Sequence, residues 1–183
     1  MIRFDSIPFE IQQALCTPMH RILTPTPLLK DPSKITGSLY LGSLTAVCEK
    51  DLLREHHITH LVQVLDVPWL PVSEKDGFNC YRIDILDQAS SDLRPHLEDA
   101  CNYIDKALRG GKNVLVHCQQ GISRSASIVI AFLIRNRGMS YESAYSLVRH
   151  ERPCIKPNPG FVQALKEWEG LWRRPPPGRR FTS

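Results

Sequence analysis

The residues able to do chemistry stand together in residues 116–127, VHCQQGISRSAS. An apolar run, NVLVH at 113–117, precedes this stretch, and a helical pattern over 125–137 follows it. A short glycine-containing turn from strand to helix presents several backbone N–H groups at a positive helix end, which makes an anion site. Cys118 opens the turn and Arg124 closes it. A thiol facing a helix N-terminus and a guanidinium favours its thiolate, the nucleophilic form. Arg124 can grip two oxygens of one phosphoryl group in a fork that lysine cannot form. Ser123 and Ser125 add hydroxyls, and Gly121 allows the close backbone approach needed to encircle a phosphate. A nucleophile and an anion cradle in one loop suit displacement at phosphorus through a covalent cysteinyl-phosphate.

The rest of the chain must hold that loop. Residues 38–43 (SLYLGS), 58–65 (ITHLVQVL) and 80–85 (CYRIDI) read as strands, and a helix is expected from Ser43 through Val47, Leu52 and Leu53. Leu97, Cys101, Ile104 and Leu108 fall on one helical face, closed by Gly110 and Gly111. Three helices follow the central strand: one over 125–137 ending at Gly138, one starting near the N-cap Ser140, and one carrying Phe161, Leu165, Trp168 and Trp172 on one face. A short helix is expected around Phe9, Ile11 and Leu15, and the Pro-rich residues 23–33 read as an extended connection. Alternating strands and helices predict an α/β fold: a mostly parallel central sheet flanked by helices, the phosphate loop lying between a central strand and a helix.

Composition narrows the class. Lys and Arg number 23 against 19 Asp and Glu, a net charge of +4. Arg173, Arg174, Arg179 and Arg180 lie in the final eleven residues without an acid, so the remaining chain is formally neutral. That balance argues against a body-wide footprint for nucleic acid or membrane. No apolar run approaches a membrane span or a secretion signal. The six cysteines are scattered without a CxxC pair, which disfavours a zinc site or a disulfide framework. The expected setting is the reducing cytoplasm or nucleus. His56, His57 and His60 have no carboxylate or thiol converging on them in sequence, so no metal and no cofactor is called for.

At the loop, HCQQGISRS resembles the HCxxGxxRS phosphate-binding loop of the cysteine-based protein tyrosine phosphatase superfamily. The segments AFLIRNRGMSYESAYSLVR and RPCIKPNPGFVQAL resemble its dual-specificity branch, and the likeness runs from about Ile35 to Trp172. The short N-terminal extension resembles the atypical, stand-alone subgroup. The implied organisation is an extension over 1–33, a catalytic domain over 34–172 with the cysteine-phosphatase fold, and a basic Pro-rich tail over 173–183.

The resemblance implies roles. Cys118 is the nucleophile and Arg124 the clamp on the phosphate and transition state. Gln119, Gln120, Gly121, Ile122 and Ser123 line the bound phosphate together with Arg124. Ser125 donates to the cysteine sulfur, His117 orients the loop, and Asn158 supports it from a neighbouring helix start. A general acid must protonate the leaving oxygen, and the family places an aspartate on a loop after a strand, about thirty residues before the cysteine. Asp87 follows the strand directly and is preferred to Asp92, which reads as a cap of the next helix, and to Asp84, which lies within CYRIDI.

The implied activity is hydrolysis of phosphotyrosine and of phosphoserine or phosphothreonine in proteins. Gln119 and Gln120 are neutral where relatives acting on inositol phospholipids carry lysines, which disfavours such substrates. Two alternatives stay open: a phospho-dependent binding module, and a phosphatase for a non-protein substrate. The presence of Cys118 weighs against the first. Expected partners are phosphorylated proteins, not nucleic acid.

Overall fold

The structure is a computed structural model and describes residues 7–9, 12 and 17–173. Its strands are β1 (Met19–Leu23), β2 (Pro27–Leu28), β3 (Asp31–Ile35), β4 (Leu39–Ser43), β5 (Ile58–Val64), β6 (Asn79–Ile83) and β7 (Asn113–Cys118). Its helices are α1 (Leu44–Cys48), α2 (Lys50–Glu55), α3 (Arg94–Arg109), α4 (Arg124–Arg137), α5 (Tyr141–Glu151) and α6 (Pro159–Trp172). Five strands form one sheet in the order β1-β4-β7-β5-β6. Strands β4, β7, β5 and β6 run parallel, and β1 joins the edge antiparallel to β4.

A sheet buried on both faces needs apolar residues at consecutive positions, and β7 supplies Val114, Leu115 and Val116, all fully buried. Their side chains alternate between the faces. Val114 and Val116 pack with Leu39, Leu41, Val62 and Val64 under α3, α4 and α6, whereas Leu115 packs with Tyr40, Leu61 and Leu53 on the side of α1 and α2. By the same alternation Cys118 belongs to the α4 face, and His117 points to the other. Every residue of α4 from Arg124 to Ile134 is buried, because sheet, α3, α5 and α6 surround it. Trp168 of α6 donates its indole N–H to the Ala131 carbonyl at 3.1 Å. No helix among the described residues is long and apolar enough to cross a membrane.

Several expectations need correction. The helix expected from Ser43 is two short helices, interrupted at Glu49, whose backbone (φ −96°, ψ 77°) leaves the helical region. The Pro-rich connection contains the β2–β3 pair, a small antiparallel sheet of its own. The helix expected around Phe9, Ile11 and Leu15 lies largely outside the described residues; Met19 and His20 beyond it are strand, paired with Gly42 and Leu41. Residues assigned to the extension therefore contribute an edge strand to the sheet. Trp172, placed on the buried face of α6, is 42% exposed and stacks beneath the Arg135 guanidinium at 4.7 Å. The basic tail lies outside the described residues except for Arg173, which pairs with Glu169. The three histidines do not converge. His56 packs against Tyr40 and His60 against Tyr103.

Candidate active site

In a parallel sheet the strands' carboxyl ends open into one crevice, where ligands bind. Strand β7 runs one residue beyond the expected strand, so Cys118 is its last residue and pairs in register with Ser43 at the end of β4. The chain then turns through residues 119–123 into α4, which starts at Arg124.

The loop's carbonyls are tied outward. Leu44 N–H donates to the Gln119 carbonyl at 3.1 Å and Lys156 N–H to that of Ile122 at 2.8 Å. The Arg152 guanidinium takes the Gln120 and Gly121 carbonyls, at 3.1 and 2.9 Å. Ser127 donates twice to the Ser123 carbonyl. A trans peptide with its C=O held outward directs its N–H to the opposite side, so the N–H groups of the loop turn inward. One of them, Gly121 N–H, already donates to Cys118 Sγ at 3.2 Å. Gly121 adopts φ +67°, and a Cβ there would lie 2.6 Å from the Gly42 carbonyl oxygen, so only glycine fits.

Around the sulfur, Ser125 Oγ lies 3.1 Å from Cys118 Sγ, with both residues buried. Arg124 is buried, and its Nη1 donates to Asp66 Oδ1 at 2.6 Å and to the Ile85 carbonyl at 3.2 Å. The hydrogen bond from Arg124 holds the Asp66 carboxyl below the usual carboxylate range. Arg124 Nε is a buried donor without a protein partner. Such a donor costs about 1–3 kcal/mol, a cost an anionic oxygen would relieve. Gln119 and Gln120 are exposed at the rim, and Ile122 is half-buried.

The structure separates the three candidate acids. Asp84 pairs with Arg82, and Asp92 is held by the backbone and side chain of Arg94. Asp87 alone of the three reaches the loop. Its Oδ1 accepts from Ser123 Oγ at 2.7 Å and from Asn158 Nδ2 at 2.9 Å. Asn158 also caps α6 through Phe161 N–H and donates its own N–H to Ser123 Oγ. Gly160 lets this loop close on α6, since a Cβ there would lie 2.0 Å from the Ala89 carbonyl oxygen. Asp87, Ser123 and Asn158 thus form one bonded triangle at the loop's edge.

His117 lies on the opposite face of β7 from the Cys118 sulfur. It points away from Cys118, and neither ring nitrogen has a partner in hydrogen-bond geometry. Burial pushes its pKa down to about 4, and an interaction with the Cys118 backbone acts in the opposite direction. The ring is neutral and brings no positive charge to the thiol. It bears instead on acid stability. A histidine held near 4 when folded, against 6.5 ordinarily, contributes stability that is full above pH 6.5 and lost as pH falls toward 4. Between pH 7 and pH 4 the wild type should lose about 3 kcal/mol more unfolding free energy than His117→Phe. Urea unfolding at the two pH values measures this; His20 and His60, also shifted down, cancel because both proteins keep them. Equal losses would overturn the assignment.

Two residues of the site were missed in the sequence, Asp66 and Arg152. Asp66 stands two residues beyond β5, and its position past the carboxyl end of a parallel strand was the available signal. Arg152 carried no local signal.

The catalytic domain family described as "Dual specificity phosphatase, catalytic domain" matches residues 39–170. Dual specificity protein phosphatase 1B of Arabidopsis thaliana is 37% identical over 140 residues, covering 76% of this chain and 83% of that protein. The crystal structure of human DUSP28 superposes with a TM-score of 0.73 at 32% identity, covering 85% of this chain and 95% of that one. A human tyrosine phosphatase-like serine/threonine/tyrosine-interacting protein gives 0.72 at 31% identity, covering 84% and 97%. With most of its length matched to one catalytic family and its fold shared with solved members, the chain belongs to the dual specificity phosphatases, as an atypical, cysteine-based member of the protein tyrosine phosphatase superfamily.

Proposed function

We propose that this phosphatase hydrolyses phosphotyrosine, phosphoserine and phosphothreonine monoesters of proteins through a cysteinyl-phosphate at Cys118. The observation that carries this reading is the sulfur at the base of a loop whose carbonyls all point outward, with Gly121 N–H and Ser125 Oγ at 3.2 and 3.1 Å. The phosphoryl oxygens meet the inward N–H groups, and Arg124 spans two of them through the guanidinium edge that Asp66 leaves open. The Cys118 thiolate attacks phosphorus, the bond to the leaving oxygen breaks, and Asp87 gives that oxygen its proton. Ser123 and Asn158 both donate to Asp87 Oδ1, so Oδ2 is the oxygen that holds the proton. Asp87 then takes a proton from water as it attacks phosphorus. The S–P bond breaks, and inorganic phosphate leaves. Ser125 donates to the departing sulfur and stabilises the thiolate. We place this chemistry in a reducing compartment, cytoplasmic or nuclear, where the thiol stays free.

The test uses two aryl phosphates of different leaving ability and a phosphopeptide panel. Asp87→Asn should slow turnover of phenyl phosphate about 100-fold, and that of an aryl phosphate with an acidic phenol less than about tenfold. An equal, small effect on both would remove Asp87 from the acid role. A kcat/KM preference for a phospholipid, RNA or glucan over all phosphopeptides would overturn the substrate assignment. Tight phosphopeptide binding without phosphate release would favour a binding module.

A further inference from the structure

Arg152 is fully buried, and it heads the largest side chains so enclosed. A buried guanidinium needs acceptors for its donors, and these acceptors come from two places. Nε and Nη2 donate to the Gly121 and Gln120 carbonyls of the phosphate loop, at 2.9 and 3.1 Å. Nη1 donates to the Thr17 carbonyl at 3.0 Å and to His20 Nδ1 at 2.8 Å. Arginine can only donate, so His20 Nδ1 accepts and its proton sits on Nε2. Burial, and then the Arg152 charge, push the His20 pKa down, which keeps the ring a neutral acceptor. His20 belongs to β1, and both acceptors lie before the residues 39–170 that match the catalytic family.

We propose that Arg152 is a positioning residue for the phosphate loop, anchored by Thr17 and His20, so that the N-terminal edge strand helps set the geometry in which the loop binds a transferring phosphoryl group. The inference rests on the reading of that loop as the phosphoryl site. The two carbonyls Arg152 holds are adjacent, and each fixes the plane of the peptide whose N–H belongs to the next residue, Gly121 or Ile122. Losing the anchor lets those peptides rotate. The tetrahedral-to-bipyramidal change at phosphorus is then met by N–H groups out of place, while a ground-state tetrahedral anion tolerates the displacement better.

The experiment compares wild type, His20→Phe, His20→Asn and Arg152→Lys. Titration calorimetry gives their affinity for vanadate, a bipyramidal mimic, and for inorganic phosphate. An aryl phosphate gives kcat and KM, and melting transitions confirm that each variant is folded. His20→Phe keeps a ring but loses the acceptor, and it should weaken vanadate binding and lower kcat about tenfold, with phosphate binding and KM changed less than about threefold. His20→Asn places a carbonyl oxygen near the lost Nδ1 and should return vanadate affinity to within about threefold of wild type. Arg152→Lys keeps the charge without the fork and should show the His20→Phe pattern, which carries the test if that variant does not fold. An unchanged vanadate-to-phosphate ratio in folded His20→Phe or Arg152→Lys would overturn the proposal, whatever happens to stability. So would failure of asparagine to rescue. The binding readout does not depend on turnover, so a failed anchor is distinct from a failed hydrolysis reading.

Discussion

Cys118→Ser is expected to lower kcat toward an aryl phosphate by at least about 10⁴-fold, with phosphopeptide binding kept. The size follows from what the site supplies. Gly121 N–H donates to the Cys118 sulfur at 3.2 Å, and Ser125 Oγ lies 3.1 Å from it, so the sulfur is held at the base of the loop. An alcohol in the same place is a far weaker acid, and among the three candidate acids only Asp87 reaches the loop, where its proposed first-step role is to give a proton to the leaving oxygen rather than to take one from the nucleophile. Serine therefore has the position but no base to activate it. The rest of the cradle does not depend on sulfur: the carbonyl ties to Leu44, Lys156 and Arg152 remain. Acid quenching during turnover should trap a phosphoenzyme in the wild type and none in the variant. Residual activity within about tenfold of wild type would remove Cys118 from the reaction.

Arg124→Lys should cost about 10³-fold in kcat/KM, although the charge is conserved. Arg124 divides its donors: Nη1 serves Asp66 and the Ile85 carbonyl, and Nε lies buried with no protein partner. That division works only because the guanidinium is a planar fork. An ammonium is a single point of charge, and the Asp66 carboxylate would hold it against the wall of the pocket. Steady-state kinetics with a vanadate titration measures the effect, and a melting curve confirms the fold. A loss below about tenfold would mean that charge, not geometry, is what the position contributes.

How far the site was legible in the sequence depended on how local its causes were. Cys118, Gly121, Arg124 and Ser125 lie within eight residues, on a strand, turn and helix that their own periodicities mark. Asp87 is favoured over Asp84 and Asp92 by its place directly after the strand and its spacing from Cys118, and in the structure each of the other two is taken by an arginine two residues away. Asn158 stands between two prolines in sequence. It is both helix cap and partner of Asp87, because the same amide offers an acceptor to Phe161 and a donor to the acid. His117 adjoins Cys118 in sequence, but strand alternation sends its ring to the opposite face of the sheet.

Local pattern alone determined the α/β class, the central strands and helices along the chain, and the loop with its cysteine and guanidinium, since period and turn chemistry act within a few residues. Tertiary structure decided what holds them. Arg124 meets Asp66 across 58 positions, Asp87 meets Asn158 across 71, and Arg152 meets His20 across 132. No sequence period spans such distances. These contacts exist because parallel strands bring their carboxyl ends to one edge and because a buried charge must find acceptors wherever the fold supplies them.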